Sequence, residues 1–139
     1  MSKYALISCT KLKQEYPCYA KEMYLESQLF KKAVQYISKQ NYDDWFILSA
    51  KYGLLRKDTL IEPYDITLNN MNSSQRKTWS KDVFAELIKL APQQFDFYAG
   101  KKYREYLIPN LENNGIKCNI PLEGKGIGEQ LKFYKDQLI

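Results

Sequence analysis

The chain reads as an α/β protein, a three-layer sandwich in which a mainly parallel central sheet of about four strands carries helices on both faces. Two patterns lead there. "WFILS" at 45–49 is apolar at nearly every position, as suits a strand buried on both faces of a parallel sheet. Between such runs lie longer stretches whose apolar residues recur by threes and fours, the period of a helix with one buried face. Their alternation implies strands joined by right-handed crossovers.

In chain order, residues 3–8 form a first strand, and residues 20–40 read as one long helix with Met23, Ser27, Phe30, Val34 and Ile37 on a single stripe. Ser27 stands where that stripe calls for an apolar group. The second strand is 45–49. Residues 50–72 read as a long connection holding Gly53, Pro63 and Asn69-Asn70, and its aromatic content argues for order. Asn72 caps the next helix with Gln75 at the reciprocal position, and Trp79, Val83, Leu87 and Leu90 make its inward stripe, extended one turn by Arg76. "FDFYA" at 95–99 is a third strand ended by Gly100. A helix over 101–113 turns Tyr103, Leu107 and Leu111 inward, 116–120 is a short strand, and Gly124, Gly126 and Gly128 lead into a last helix with Ile127, Leu131, Tyr134 and Leu138 on one face.

With 139 residues, 45% hydrophobic and 14% aromatic, the chain suits one domain, 1–139, with a real core. It has no apolar run long enough for a membrane span and no signal-peptide pattern, so a cytoplasmic protein is expected. Cys9, Cys18 and Cys118 are odd in number and lack CxxC spacing, which points to reduced thiols and to neither a disulfide framework nor a zinc site. Histidine is absent, removing the usual general base and the commonest metal ligand. Asp58, Glu62 and Asp65 lack the spacing of a calcium loop, so no metal and no cofactor is expected. The net charge of +5 favours a polyanionic partner, DNA or a nucleotide, although solvated surface lysines account for it equally well. Oligomeric state stays open.

In open α/β sheets the ligand crevice lies outside the carboxyl ends of the strands. Strand one ends at Ser8, Cys9, Thr10 and Lys11, strand two at Ser49, Ala50, Lys51, Tyr52 and Gly53, and strand three at Gly100 before Tyr103. The connection after strand two adds Tyr64 and Asp65, and helix starts on the same rim add Tyr24, Ser27 and Arg76. Each alone can be a core or surface residue; together they make a candidate site. Lys11 and Lys51, expected as neighbours, are candidate nucleophiles or bases, since a nearby cation lowers an amine's pKa, and Asp65 is a candidate for activating water. Tyr52 and Tyr64 offer faces for a base, and the backbone near Gly100 and Gly126 suits phosphate. Cys9 is a redox candidate if its thiol lies exposed beside Lys11.

"ILSAKYGLLRKDTLIEPYDITL" at 47–68 resembles the signature of the YaaA-type peroxide-stress proteins, with a strand ending in Leu-Ser, a Tyr-Gly turn and a downstream Pro-Tyr. Trp79 and the strand-to-helix turn at Gly100 and Tyr103 fall where that family has similar features. The order "ISCTK", "MYLES", "SAKYGLL", "PYD", "PLEGKGIG" is similar to a small bacterial and phage domain family. That family is similar in turn to the lysine-handling domain of archaeosine synthase, on Cys9, Thr10, Lys11, Tyr24 and Ser27, and more remotely to uracil-DNA-glycosylase-like folds, where Asp65 matches the water-activating Asp. The resemblance implies action on or around nucleic-acid bases, with a stress-response DNA binder as its YaaA form. Two expectations follow: a glycosylase-like or base-modifying protein, and a non-catalytic DNA- or nucleotide-binding module.

Overall fold

A computed structural model describes residues 2–138. The central sheet has five strands in the order β4-β3-β1-β6-β7. β1 (Lys3–Ser8) lies in the middle, flanked in parallel by β3 (Asp44–Ser49) and β6 (Gln94–Tyr98), and β7 (Lys117–Asn119) extends the parallel set beyond β6. β4 (Gly53–Arg56) pairs antiparallel with β3 at the edge. The mainly parallel α/β sandwich expected from the sequence is therefore present, with one strand more than the expected four or so and an antiparallel edge that the reading lacked.

That edge strand lies inside the stretch read as a connection. The chain reverses tightly after Ser49, where Gly53 takes a left-handed φ of 71° that a side chain would strain, and returns as β4. Further on, β5 (Leu60–Ile61) pairs with β2 (Cys18–Tyr19) in a separate two-stranded ribbon, and a short 3-10 turn at Leu68–Asn70 leads to the next helix. Four-residue and two-residue strands are too short to show alternation, which is why residues 50–72 read as loop.

The expected helix over 20–40 is also two elements. α1 (Ala20–Met23) is a single turn, and after a break α2 runs Gln28–Ile37. Ser27 is the N-cap of α2: its backbone is extended and its hydroxyl accepts from the Phe30 amide at 3.3 Å. A serine in an apolar stripe was the cap signal, since a short hydroxyl competes for backbone partners and so favours helix starts. The helix expected over 101–113 divides into α4 (Lys101–Arg104) and α5 (Leu107–Asn113), because Pro109 has no amide to give the Glu105 carbonyl and fits only a first turn. Tyr103, Leu107 and Leu111 nevertheless point inward as expected.

α3 (Ser73–Ile88) begins as the sequence indicates. Asn72 Oδ1 accepts from the Gln75 amide at 2.8 Å and Gln75 Oε1 from the Asn72 amide at 2.9 Å, a reciprocal capping box. Trp79, Val83 and Leu87 are buried, while Leu90 is half-buried beyond the helix end. α6 (Ile127–Gln137) closes the chain; Tyr134 is its buried anchor, and Ile127, expected to face inward, is 66% exposed at its first turn.

α2 and α6 pack on each other over one face of the sheet, and α3, α4 and α5 pack together over the other, α3 against β4 and α5 against β7. The main core includes Leu6, Ile7, Phe46, Ile47, Leu48, Phe95 and Phe97 from the sheet, and a smaller cluster of Ala33, Leu122 and Tyr134 fills the space between α2 and α6. One carboxylate is buried with them. Asp96 in β6 accepts from Tyr42 (2.6 Å), Gln94 (2.9 Å) and Asn119 (3.0 Å), which satisfies it within the sheet.

Asn72→Ala removes the acceptor half of the capping box and is expected to cost about 1 kcal/mol in urea denaturation. Ser80 on α3 is buried with an Oγ that has no hydrogen-bond partner among the described residues. Ser80→Ala removes that unpaired group and is expected to raise stability by roughly 1 kcal/mol in the same assay.

Candidate functional site

From β1 the chain winds outward to β3, then returns past β1 to lay down β6 and β7 on the other side. The connections leaving β1 and β6 therefore diverge, and a crevice opens beyond their carboxyl ends at the point where the winding reverses. The structure has a groove there of about 1290 Å³. Its walls come from Ser8 to Lys13 after β1, the start of α2 at Ser27 and Gln28, Asp65 to Thr67 with Asn69 and Asn70, Gly100 to Arg104 after β6, and Gly124, Lys125 and Ile127 at the start of α6. Buried Phe30 and Phe97 and half-buried Tyr98 close the groove from the core side.

Of the residues chosen from the sequence, Ser8, Cys9, Thr10, Lys11, Ser27, Asp65, Gly100 and Tyr103 line this groove. Ser8 ends its strand where the groove begins. Cys9 is buried, and its Sγ contacts the Tyr103 hydroxyl at 3.3 Å, so the thiol is held from below by a phenol rather than lying open beside Lys11.

Ser49, Tyr24 and Tyr64 instead form a packed hydroxyl junction apart from the groove walls. Ser49 Oγ accepts from the Tyr52 amide at 3.0 Å and donates to Tyr64 Oη at 2.7 Å, and Tyr64 Oη lies 2.6 Å from Tyr24 Oη. The Ser49 carbonyl accepts from Trp79 Nε1 at 2.9 Å. One residue at the end of β3 thus ties together the β3–β4 turn, the 61–67 connection, the segment between α1 and α2, and α3. Burial is the main cause that pushes the Tyr24 and Tyr64 hydroxyls far above the usual tyrosine range.

Three expectations do not hold. Lys51 is exposed on the β3–β4 turn, outside the groove walls, with Nζ 5.2 Å from the Tyr52 ring centroid, so it is not the groove neighbour of Lys11. The antiparallel turn that carries it was the element missing from the sequence reading. Arg76 is absorbed by Glu105, its Nε 2.9 Å from Oε1, and by the Met71 carbonyl, so it joins α3 to the end of α4 instead of facing the groove. Tyr52 and Tyr64 meet edge to face at 5.6 Å and 79°, and each has a lysine over its ring. A lysine covers one face of each ring, and none of Tyr52, Gly53 and Tyr64 is part of the groove lining.

The lysine on Tyr64 is one the sequence reading passed over. Lys13 is half-buried in the groove wall, with Nζ 4.6 Å from the Tyr64 centroid and 3.4 Å from the Lys11 carbonyl oxygen to which it donates. Desolvation lowers its pKa, opposed by the neighbouring Cys9 and Asp65. Lys13 lies two residues beyond Lys11 on the same segment leaving β1, and Lys11, Leu12 and Lys13 all line the groove. Lys101, Lys102, Arg104 and Lys125 complete the basic lining, giving six basic against three acidic side chains (Glu26, Asp65 and Glu123) around the groove.

A family model described as a family of unknown function (DUF6884) matches residues 4–136. The chain is 31% identical over 147 residues to an uncharacterised protein, YfjM, of Bacillus subtilis (strain 168), covering 95% of this chain and 92% of that protein. Its backbone is similar to the crystal structure of AF0587, a protein of unknown function, with a TM-score of 0.62 at 14% identity. That likeness spans 99% of this chain and 44% of the other, and it concerns the fold.

Burial also raises the hydroxyl pKa values of Tyr42, Tyr103 and Tyr134, and that of Tyr98 to about 12. Unfolding would release these protons near the ordinary value of about 10, so the folded state holds more protons there and stability is expected to fall as pH rises past about 10. In an alkaline titration followed in parallel by circular dichroism and phenolate absorbance, the phenolate signal of these tyrosines should emerge together with loss of helix. Complete titration at the ordinary midpoint with helices intact would contradict it.

Proposed function

We propose that this chain, which belongs to the DUF6884 family of unknown function, binds a nucleic-acid strand or a nucleotide in the groove at the winding reversal, as a recognition module. The observation that carries the reading is the groove's composition: exposed apolar side chains of Leu12, Ile66 and Ile127 beside a rim with a basic surplus. Bases offer flat apolar faces and phosphates offer negative charge, so a strand meets both requirements at once. At about 1290 Å³ the groove exceeds the roughly 300–1,000 Å³ of ordinary small-ligand pockets, leaving room for more than one nucleotide. Gly124, with a left-handed φ of 82°, turns the backbone so that Lys125 and the amino end of α6 come to the same rim, where backbone amides favour an anion. The motif resemblance to YaaA-type DNA-binding stress proteins supports the same partner, and reduced cysteines fit a cytoplasmic setting.

A second reading, action on a nucleobase in the manner of a glycosylase or base-modifying enzyme, is favoured by Asp65, whose carboxylate lies in the groove wall and could activate water. Lys51, the other candidate from the sequence, lies outside the groove, which leaves Lys11 and Asp65 from the expected catalytic set. Recognition without turnover therefore has the stronger geometric support.

Anisotropy of a labelled single-stranded oligonucleotide should report binding that weakens steeply with salt. Lys101→Ala combined with Lys125→Ala should flatten the log–log salt dependence by roughly one to two units, since each phosphate contact contributes slightly less than one. Absence of binding at low salt would remove the proposal, and release of free base on incubation with damaged DNA would favour the second reading.

A further inference from the structure

We propose that Lys13 and Asp65 read the edge of a keto nucleobase, the Lys13 ammonium donating to its carbonyl oxygen and the Asp65 carboxylate accepting from the adjacent ring N–H. This rests on strand binding in the groove and names the group that is recognised there.

Lys13 and Asp65 both line the groove, and among the described residues neither forms an ion pair. Lys13 Nζ lies over the ring of Tyr64, the residue that precedes Asp65 in the chain, yet no ion pair joins the two side chains. A donor and an acceptor thus stand near each other in the wall, each with bonding capacity to spare. Lys13 uses one of its three protons on the Lys11 carbonyl, and no partner donates to Asp65 among the described residues.

The placement is rigid on the lysine side. Lys13 Nζ rests over the Tyr64 ring at 4.6 Å, and that ring is fixed by the hydroxyls of Ser49 and Tyr24 and by the edge contact with Tyr52. Leu12 and Ile66, the sequence neighbours of the pair, are 59% and 45% exposed and line the same groove. Exposed aliphatic groups beside a donor and an acceptor suit a flat ring whose faces are apolar and whose edge is polar. The Lys101 and Lys125 side chains, on segments that follow β6 and β7, are left for the phosphates.

The edge that fits has an acceptor next to a donor. An ammonium can only donate and a carboxylate can only accept, so a carbonyl with two lone pairs beside a ring N–H satisfies both. Thymine, uracil, guanine and hypoxanthine carry that arrangement. The two bonds together, made as one bidentate pair, are expected to distinguish bases by roughly 5- to 150-fold in affinity.

The test uses labelled oligothymidylate and the same oligomer methylated at N3, which keeps the carbonyls and removes the ring N–H. The wild-type protein is expected to bind the methylated strand at least about fivefold more weakly. Asp65→Ala, an exposed position whose truncation leaves space for the methyl group, should bring the two affinities together, and Lys13→Met should weaken the unmodified strand more than the methylated one. Lys101→Ala with Lys125→Ala should weaken both strands alike and preserve their ratio. Equal wild-type affinities for the two strands would overturn the edge reading while leaving strand binding in place, as would a ratio that survives in Asp65→Ala. Failure of both strands to bind at low salt would instead remove the strand-binding reading on which this one rests.

Discussion

The central position of β1 constrains everything that follows it. With β3 on one side and β6 on the other, both parallel to it, the segment leaving β1 and the segment leaving β6 must part company at the sheet's carboxyl edge. Among the described residues no helix covers the space directly above, because α2 after β1 and α4 after β6 depart to opposite faces. Short apolar strands in strict parallel register make this geometry rigid, so the groove is a product of winding order before any side chain is considered. The residues that line it inherit their positions from that order.

The hydroxyl junction at Ser49 does for the 50–72 region what the sheet does for the strands. This region has little regular pairing of its own, and a long segment without it would ordinarily pay a large entropy to stay fixed. Fully buried Ser49 accepts through its carbonyl and both accepts and donates through its hydroxyl, and the phenols of Tyr24 and Tyr64 extend the network. Removal of any member would strand a buried polar partner, so the network is cooperative in the sense that each bond protects the others from desolvation. Tyr64 is where this structural network touches the groove indirectly, since its ring supports Lys13.

The groove is uneven in charge as well as in polarity. Basic residues dominate on the segments that follow β6 and β7, whereas half-buried Lys13 and exposed Asp65 share the lining on the β1 side. A ligand with a distributed negative charge and a polar edge would be oriented by that asymmetry: its charge draws to one side and its edge to the other. The supported amine and the nearby carboxylate would distinguish among ligands, while the exposed lysines would contribute attraction that depends on salt.

Much of the fold was legible from local chemistry. The capping box at Asn72 and Gln75, the apolar runs of β1 and β3 and the inward stripe of Trp79, Val83 and Leu87 depend on neighbours a few residues away, and each is present. Even the convergence of Ser8, Cys9, Thr10, Lys11, Asp65 and Gly100 was accessible, because strand order in an α/β sheet dictates where carboxyl ends gather. Breaks governed by single residues, the cap at Ser27 and the proline at 109, were present in the sequence but masked by a continuing apolar period. Tertiary structure alone decided the rest: that residues 53–56 turn back onto β3 and carry Lys51 away, that Glu105 takes Arg76, and that Tyr64 turns its face to Lys13 rather than to the groove. Apart from the tight β3–β4 reversal, those outcomes depend on groups far apart in the chain, such as Ser49 with Tyr64 (15 apart) and Arg76 with Glu105 (29 apart), and a side chain with several possible partners is assigned one only when packing brings that partner within bonding distance.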